Sequence, residues 1–117
     1  VRAVDVGSNG VLDGFVVSGG SAIGSPPMLS FGGGIFILRG APVVRGCRFI
    51  GNQALGGGAL DADSSEATIR DCLMLGNSSN FGGAIRVYGS RRVVVENTDV
   101  VGNSAAVLGG GVFARTT

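Results

Sequence analysis

The amino-acid sequence predicts an all-β solenoid: a right-handed parallel β-helix of about four coils, each of ~25 residues and carrying three short strands. Two landmarks and one compositional fact point there. Segments ending in Gly-Asn recur, with Asn52 and Asn77 spaced by 25 residues and Asn77 and Asn103 by 26. A glycine-rich landmark alternates with them, as Gly32-Gly33-Gly34-Ile35, Gly56-Gly57-Gly58-Ala59, Gly82-Gly83-Ala84-Ile85 and Gly109-Gly110-Gly111-Val112, in steps of 24, 26 and 27. Gly supplies 23 of the 117 residues while 44% are hydrophobic, so the chain has apolar surface to bury and glycines to turn sharply between short strands. A hairpin at Ser8-Asn9-Gly10 or the ten-residue strands of an outer-membrane barrel would explain neither landmark.

The elements follow in order within each repeat. Stacking Val43–Asn52, Thr68–Asn77 and Val94–Asn103, with a degenerate copy at Val11–Gly20, produces columns. Leu12, Val44, Ile69 and Val95 form one apolar column. Phe15, Cys47, Cys72 and Thr98 form a second, and Val17, Phe49, Met74 and Val100 a third. Between them stand Asp13, Arg45, Arg70 and Glu96, then Val16, Arg48, Leu73 and Asp99. Alternation of apolar and mostly polar columns marks strands with one buried face. The three strands lie after the glycine landmark, before the corner at Gly14, Gly46, Asp71 and Asn97, and after that corner. Stacked coils repeat about every 4.8 Å.

Corners require residues that tolerate positive φ, so Gly33, Gly57, Gly83 and Gly110 are assigned as structural turns. Asn52, Asn77 and Asn103 are assigned the same role, because Asn enters the left-handed region and stacked Asn side chains form hydrogen-bonded ladders. One longer loop interrupts the period at residues 20–32, where Pro26-Pro27 favours an extended path. Strand-like text at both ends makes residues 1–117 a single β-helix fragment, uncapped at either end, with flanking coils of a parent chain as its first expected partners.

Bulk properties exclude several functions. Formal net charge is +1, and the 9 basic residues, all Arg, are scattered, which argues against a nucleic-acid stripe. No apolar run reaches the roughly 18 residues of a membrane helix. The absence of His removes Ser-His triads and most zinc sites. Asn77-Ser78-Ser79 fits a glycosylation sequon, a pattern short enough to arise by chance.

With those residues in place, the chain resembles bacterial right-handed β-helix repeat proteins of the pectin-lyase-like superfamily. It is also similar to the repeats of chlamydial polymorphic outer membrane proteins. Their paired signatures, Gly-Gly-Ala-Ile and Phe-x-x-Asn, stand at Gly82–Ile85 and Phe49–Asn52, while Met74 and Val100 replace the Phe in later copies. The resemblance implies export from a bacterial cell, Gram-negative in type, and display at the surface. It implies a non-catalytic, adhesin- or passenger-like scaffold whose partners would be a host or cell-surface protein or a polysaccharide. The alternative it implies is a fragment of a polysaccharide lyase or glycoside hydrolase, and only the lyase would involve a cofactor, Ca2+.

Candidate chemistry centres on Asp61 and Asp63, with Glu66 and Asp71 near in sequence and Arg86 as a lyase-like base. By column, Asp61 falls between Ile37 and Val87, and Asp63 beside Arg39. An inward Asp would be costly to bury, so the preferred reading ends the strand near Leu60 and leaves both carboxylates in an exposed turn, Asp63 paired with Arg39. Cys47 and Cys72 share an inward column, as either a disulfide or two core thiols. Finally, Ile50, Leu75 and Val101 occupy an outward column with Leu73 beside them. Either the chain bends inward there or an apolar docking stripe is exposed.

Overall fold

The computed structural model describes residues 2–4, 10–23 and 30–116, and the chain in it winds into a solenoid whose strands are all parallel. The strands following the glycine corner, β5 (Ile35–Leu38), β9 (Leu60–Asp63), β13 (Ile85–Tyr88) and β17 (Val112–Arg115), stack with β1 (Arg2–Val4) as the first sheet. The second sheet holds β2 (Val11–Asp13), β6 (Val43–Arg45), β10 (Thr68–Arg70) and β14 (Val94–Glu96). The third holds β3 (Val16–Ser18), β7 (Arg48–Ile50), β11 (Leu73–Leu75) and β15 (Asp99–Val101). A fourth sheet, beyond the three strands expected per coil, holds β4 (Ser21–Ala22), β8 (Gln53–Ala54), β12 (Ser78–Phe81) and β16 (Ser104–Leu108). Its first two strands are only two residues long, too short to display an alternating pattern, and its register slips between Ser79 and Phe81. Each of the last three sheets is crossed four times, so three full turns separate its first strand from its last.

In the second and third sheets the register is the one the columns dictate. Ile69 faces Val44 and Val95, and Met74 faces Phe49 and Val100. Of the middle residues, Val44, Phe49, Ile69 and Met74 are fully enclosed in one core with Ile35, Ile37, Leu60, Ala62 and Ile85, and Leu12, Val17 and Val100 pack against it, whereas Val95, expected inward, is 39% exposed in the edge strand β14. Phe15, expected inward, is instead 57% exposed. It lies between β2 and β3, the edge strands of their sheets, so a neighbouring coil covers only one side of it. The corner between the second and third sheets is at the predicted positions, with Gly14, Gly46, Asp71 and Asn97 all at positive φ.

The glycine landmark is displaced by one residue in a single coil. Ile35 pairs with Leu60 and Leu60 with Ile85, so Gly32 aligns with Gly57 rather than Gly56. Gly32, Gly57, Gly82 and Gly109 carry the positive φ, between 63° and 70°, and make the corner. Of the four turn glycines assigned from sequence, only Gly57 occupies that conformation. Gly33 and Gly83 are needed for a different reason: a Cβ there would sit 2.4 Å from the Gln53 carbonyl oxygen and 2.2 Å from the Gly110 carbonyl oxygen. Gly56 belongs to the preceding strand-like bridge, between Phe31 and Phe81.

The asparagines form the expected ladder, but the positive φ of that corner is carried by the preceding Gly51, Gly76 and Gly102, not by Asn52, Asn77 and Asn103. Asn77 Oδ1 accepts hydrogen bonds from the Asn52 backbone N–H at 2.9 Å and from Asn52 Nδ2 at 3.0 Å, and Asn103 Oδ1 accepts the same pair from Asn77. Each Nδ2 also donates to a main-chain oxygen of the coil before, Val17 for Asn52, Phe49 for Asn77 and Met74 for Asn103. Asn52 and Asn77 are buried. Every amide is thus occupied in fixing one coil to the next, which satisfies polar groups that would otherwise be buried unpaired. Asn77 cannot serve as a sugar acceptor while it holds this place.

Candidate functional site

Register decides the fate of the acidic cluster. Strand β9 does not stop near Leu60 but runs through Asp63, because its carbonyls and amides are paired on both sides by β5 and β13. With the one-residue displacement corrected, Ala62 takes the column between Ile37 and Val87, and Asp61 lies between Phe36 and Arg86. Leu60 and Ala62 face the core, so Asp61 alternates to the outer face of the first sheet. The exposed-turn reading is therefore corrected for Asp61, which is fully buried on that outer face. Asp63 points the same way, half-buried, in register with Leu38 and Tyr88; its main-chain oxygen accepts from the Arg39 backbone N–H at 3.0 Å and its Oδ1 from Ser64 Oγ at 2.8 Å.

Arg86 and Asp61 are brought together. Arg86 Nη1 donates to Asp61 Oδ2 at 2.7 Å, with the two side chains 11% and 0% exposed. Asp61 Oδ1 is buried with no hydrogen-bond partner. Burial pushes the Asp61 carboxyl from its ordinary 3.8 up to about 7, against the Arg86 cation and its hydrogen bond, which pull it down, and Asp63 adds a smaller upward push. The guanidinium is itself enclosed. Its carbon lies 4.5 Å from the Phe31 ring centroid and 4.6 Å from that of Tyr88, a stacked cation between two aromatic faces. Gly56 makes room for it: a Cβ on that residue would meet Arg86 Cδ at 2.6 Å and Phe31 Cδ1 at 2.9 Å.

Phe31, Tyr88 and Gly56 were not legible as parts of a site. Moving the glycine corner to Gly57 would have placed Asp61 beside Arg86, and Tyr88 two residues on along the same face. Phe31 ends the 20–32 loop, whose residues 24–29 lie outside the described ones. Asp61 turns one oxygen to the Arg86 cation, and among the described residues no three Asp, Glu, His or Cys side chains could share a metal ion.

The other candidates lie elsewhere. Cys47 and Cys72 are free, buried thiols that donate to the Arg45 and Arg70 carbonyl oxygens at 3.2 and 3.1 Å, and burial raises the Cys72 thiol. The third sheet does not bend inward at Ile50, Leu75 and Val101, which are 36%, 39% and 52% exposed. Leu73 points out beside them, half-buried.

A sequence family described as the right-handed β-helix region matches residues 3–116, nearly the whole chain. The chain belongs to the right-handed β-helix family. No curated protein and no solved structure shows significant similarity to it. Membership of the β-helix family agrees with four stacked parallel sheets and with the absence of helix among the described residues, in which no helix is long and apolar enough to cross a membrane.

Proposed function

We propose that this β-helix is a non-catalytic, exported segment of a surface protein, a stiff adhesin- or passenger-like scaffold. The observation that carries this reading is the closure of the Asp61 carboxylate. Asp61 has no solvent exposure, and its partner Arg86 is held between Phe31 and Tyr88. A general acid or base must reach within hydrogen-bonding distance of the proton it moves, and here the protein itself fills that distance. The ladder and core repeat over successive coils, whereas the acidic cluster is confined to one, as suits a rod with a local fastening rather than a polymer-binding groove. Its expected neighbours are further coils and a host or cell-surface protein or polysaccharide.

A second reading, part of a polysaccharide lyase or glycoside hydrolase, draws support from the carboxyl raised to about 7, a value suited to general acid chemistry at neutral pH. One experiment separates them. The chain is incubated with polygalacturonate, alginate and neutral glycans, with calcium and with chelator, and unsaturated products and new reducing ends are measured. The scaffold reading expects neither product under any condition. Turnover that disappears in Asp61→Asn would overturn it in favour of the enzyme. Protease shaving of intact source cells tests display: release of peptides from this segment is expected, and protection until lysis would reject surface exposure.

A further inference from the structure

The outer face of the third sheet carries two rows that run along the solenoid axis, one per outward position. The first reads Val16, Arg48, Leu73, Asp99 and the second Ser18, Ile50, Leu75, Val101, in register across β3, β7, β11 and β15, and the charged and apolar stretch lies on the last three strands. Arg48 and Asp99 are exposed, as are the three apolar members of the second row. The rim beyond that row is low, because Gly51 and Gly76 follow Ile50 and Leu75 with nothing within 4 Å of a notional Cβ. An apolar row bordered by a cation at one end and an anion at the other has a direction. That direction specifies what can lie on it.

We infer that this face pairs two copies of the chain, antiparallel, about a two-fold axis lying in the interface along β11. The axis sets Leu73 and Leu75 against their own copies, Ile50 against Val101, and Arg48 against Asp99 at both ends. A two-fold contact is self-complementary by construction, and the charge pattern chooses among its possible axes. An axis along the first row would oppose Arg48 to Arg48 and Asp99 to Asp99, and one along the second row would pair the apolar side chains with their own copies but give Arg48 and Asp99 no opposite charge to face. An axis on β7 would again oppose the two Arg48 side chains, and one between β7 and β11 would set Arg48 against Leu73 and Val16 against Asp99. Only the axis on β11 matches like with like in the apolar row and opposite charges beside it, the arrangement that favours one docking geometry and penalises the others. Three short strands span a patch smaller than the ~800 Å² per partner of a stable interface, so the pairing is weak and concentration-dependent in the isolated segment. Each further coil bearing the same rows would extend it.

Sedimentation equilibrium of the chain at low ionic strength over a wide concentration range tests this. The weight-average mass is expected to rise from 11.6 kDa toward twice that value and to stop there. Arg48→Asp and Asp99→Arg each place like charges at both ends of the contact and are expected to weaken association about tenfold. The double variant R48D/D99R restores opposite charges and is expected to recover it, and Leu75→Ser to abolish it. All these positions are solvent-facing, and circular dichroism confirms that each variant is folded before its mass is read. A chain that stays monomeric throughout refutes the inference. So does a series growing beyond the dimer, which would mean end-to-end stacking, or a folded double variant that fails to recover.

Discussion

Asp61 makes stability depend on pH in a direction opposite to that of a paired surface carboxylate. Its carboxyl is raised in the folded chain from 3.8 to about 7 because burial removes it from water more than Arg86 compensates. The folded state therefore holds the proton more tightly than the unfolded state between those values. Stability from this group is fully present below about pH 4, is lost progressively as pH rises, and is gone above about pH 7. A shift of this size corresponds to at most about 4 kcal/mol at ~1.4 kcal/mol per pH unit. That is a large share of the ~5–15 kcal/mol of a typical domain. Urea unfolding followed by far-ultraviolet circular dichroism, at intervals from pH 4 to pH 8, would show the midpoint falling with an unchanged urea slope. Asp61→Asn, which carries no titratable proton, should flatten that fall. The reasoning is refuted if the wild-type and variant profiles run parallel, or if the wild type alone gains stability with rising pH. Either result would mean that Arg86 keeps Asp61 ionised throughout.

Three further outcomes follow from the coil architecture. Asn77→Ala removes four side-chain hydrogen bonds and strands the Asn52 backbone N–H in the interior; a loss of about 3 kcal/mol is expected by chemical denaturation, with a smaller loss for the less buried Asn103→Ala. Gly58→Ala would drive a Cβ to 2.2 Å from the Gly83 carbonyl oxygen and should abolish cooperative folding, whereas Gly51→Ala, open to solvent but at positive φ, should lower stability by only about 1 kcal/mol. Met74→Ala, which empties a fully buried place between Phe49 and Val100, should lower the unfolding free energy by about 2–5 kcal/mol, measured in the same way.

Sequence by itself determined the solenoid, its period and two of its sheets, because those depend on strictly local alternation. A residue such as Met74 can be assigned inward from its neighbours alone, and an Asn repeated at one coil's spacing has a ladder as its natural partner. The fourth sheet was not legible, since strands as short as Gln53–Ala54 carry no period. The candidate site was half legible. Asp61 and Arg86 were both marked by chemical type, but their meeting depended on which glycine of a run of three adopts positive φ. A triplet of glycines hides that choice, because each can take the turn at little steric cost. Only the stacked register settled it, through pairing with coils on either side, and a one-residue slip in a strand exchanges its inner and outer faces. The same tertiary stacking closed Phe31 and Tyr88 over Arg86 and left Ile50, Leu75 and Val101 uncovered. Burial on the outer face of a sheet is decided by what else the chain lays across it, which no pattern within the strand records.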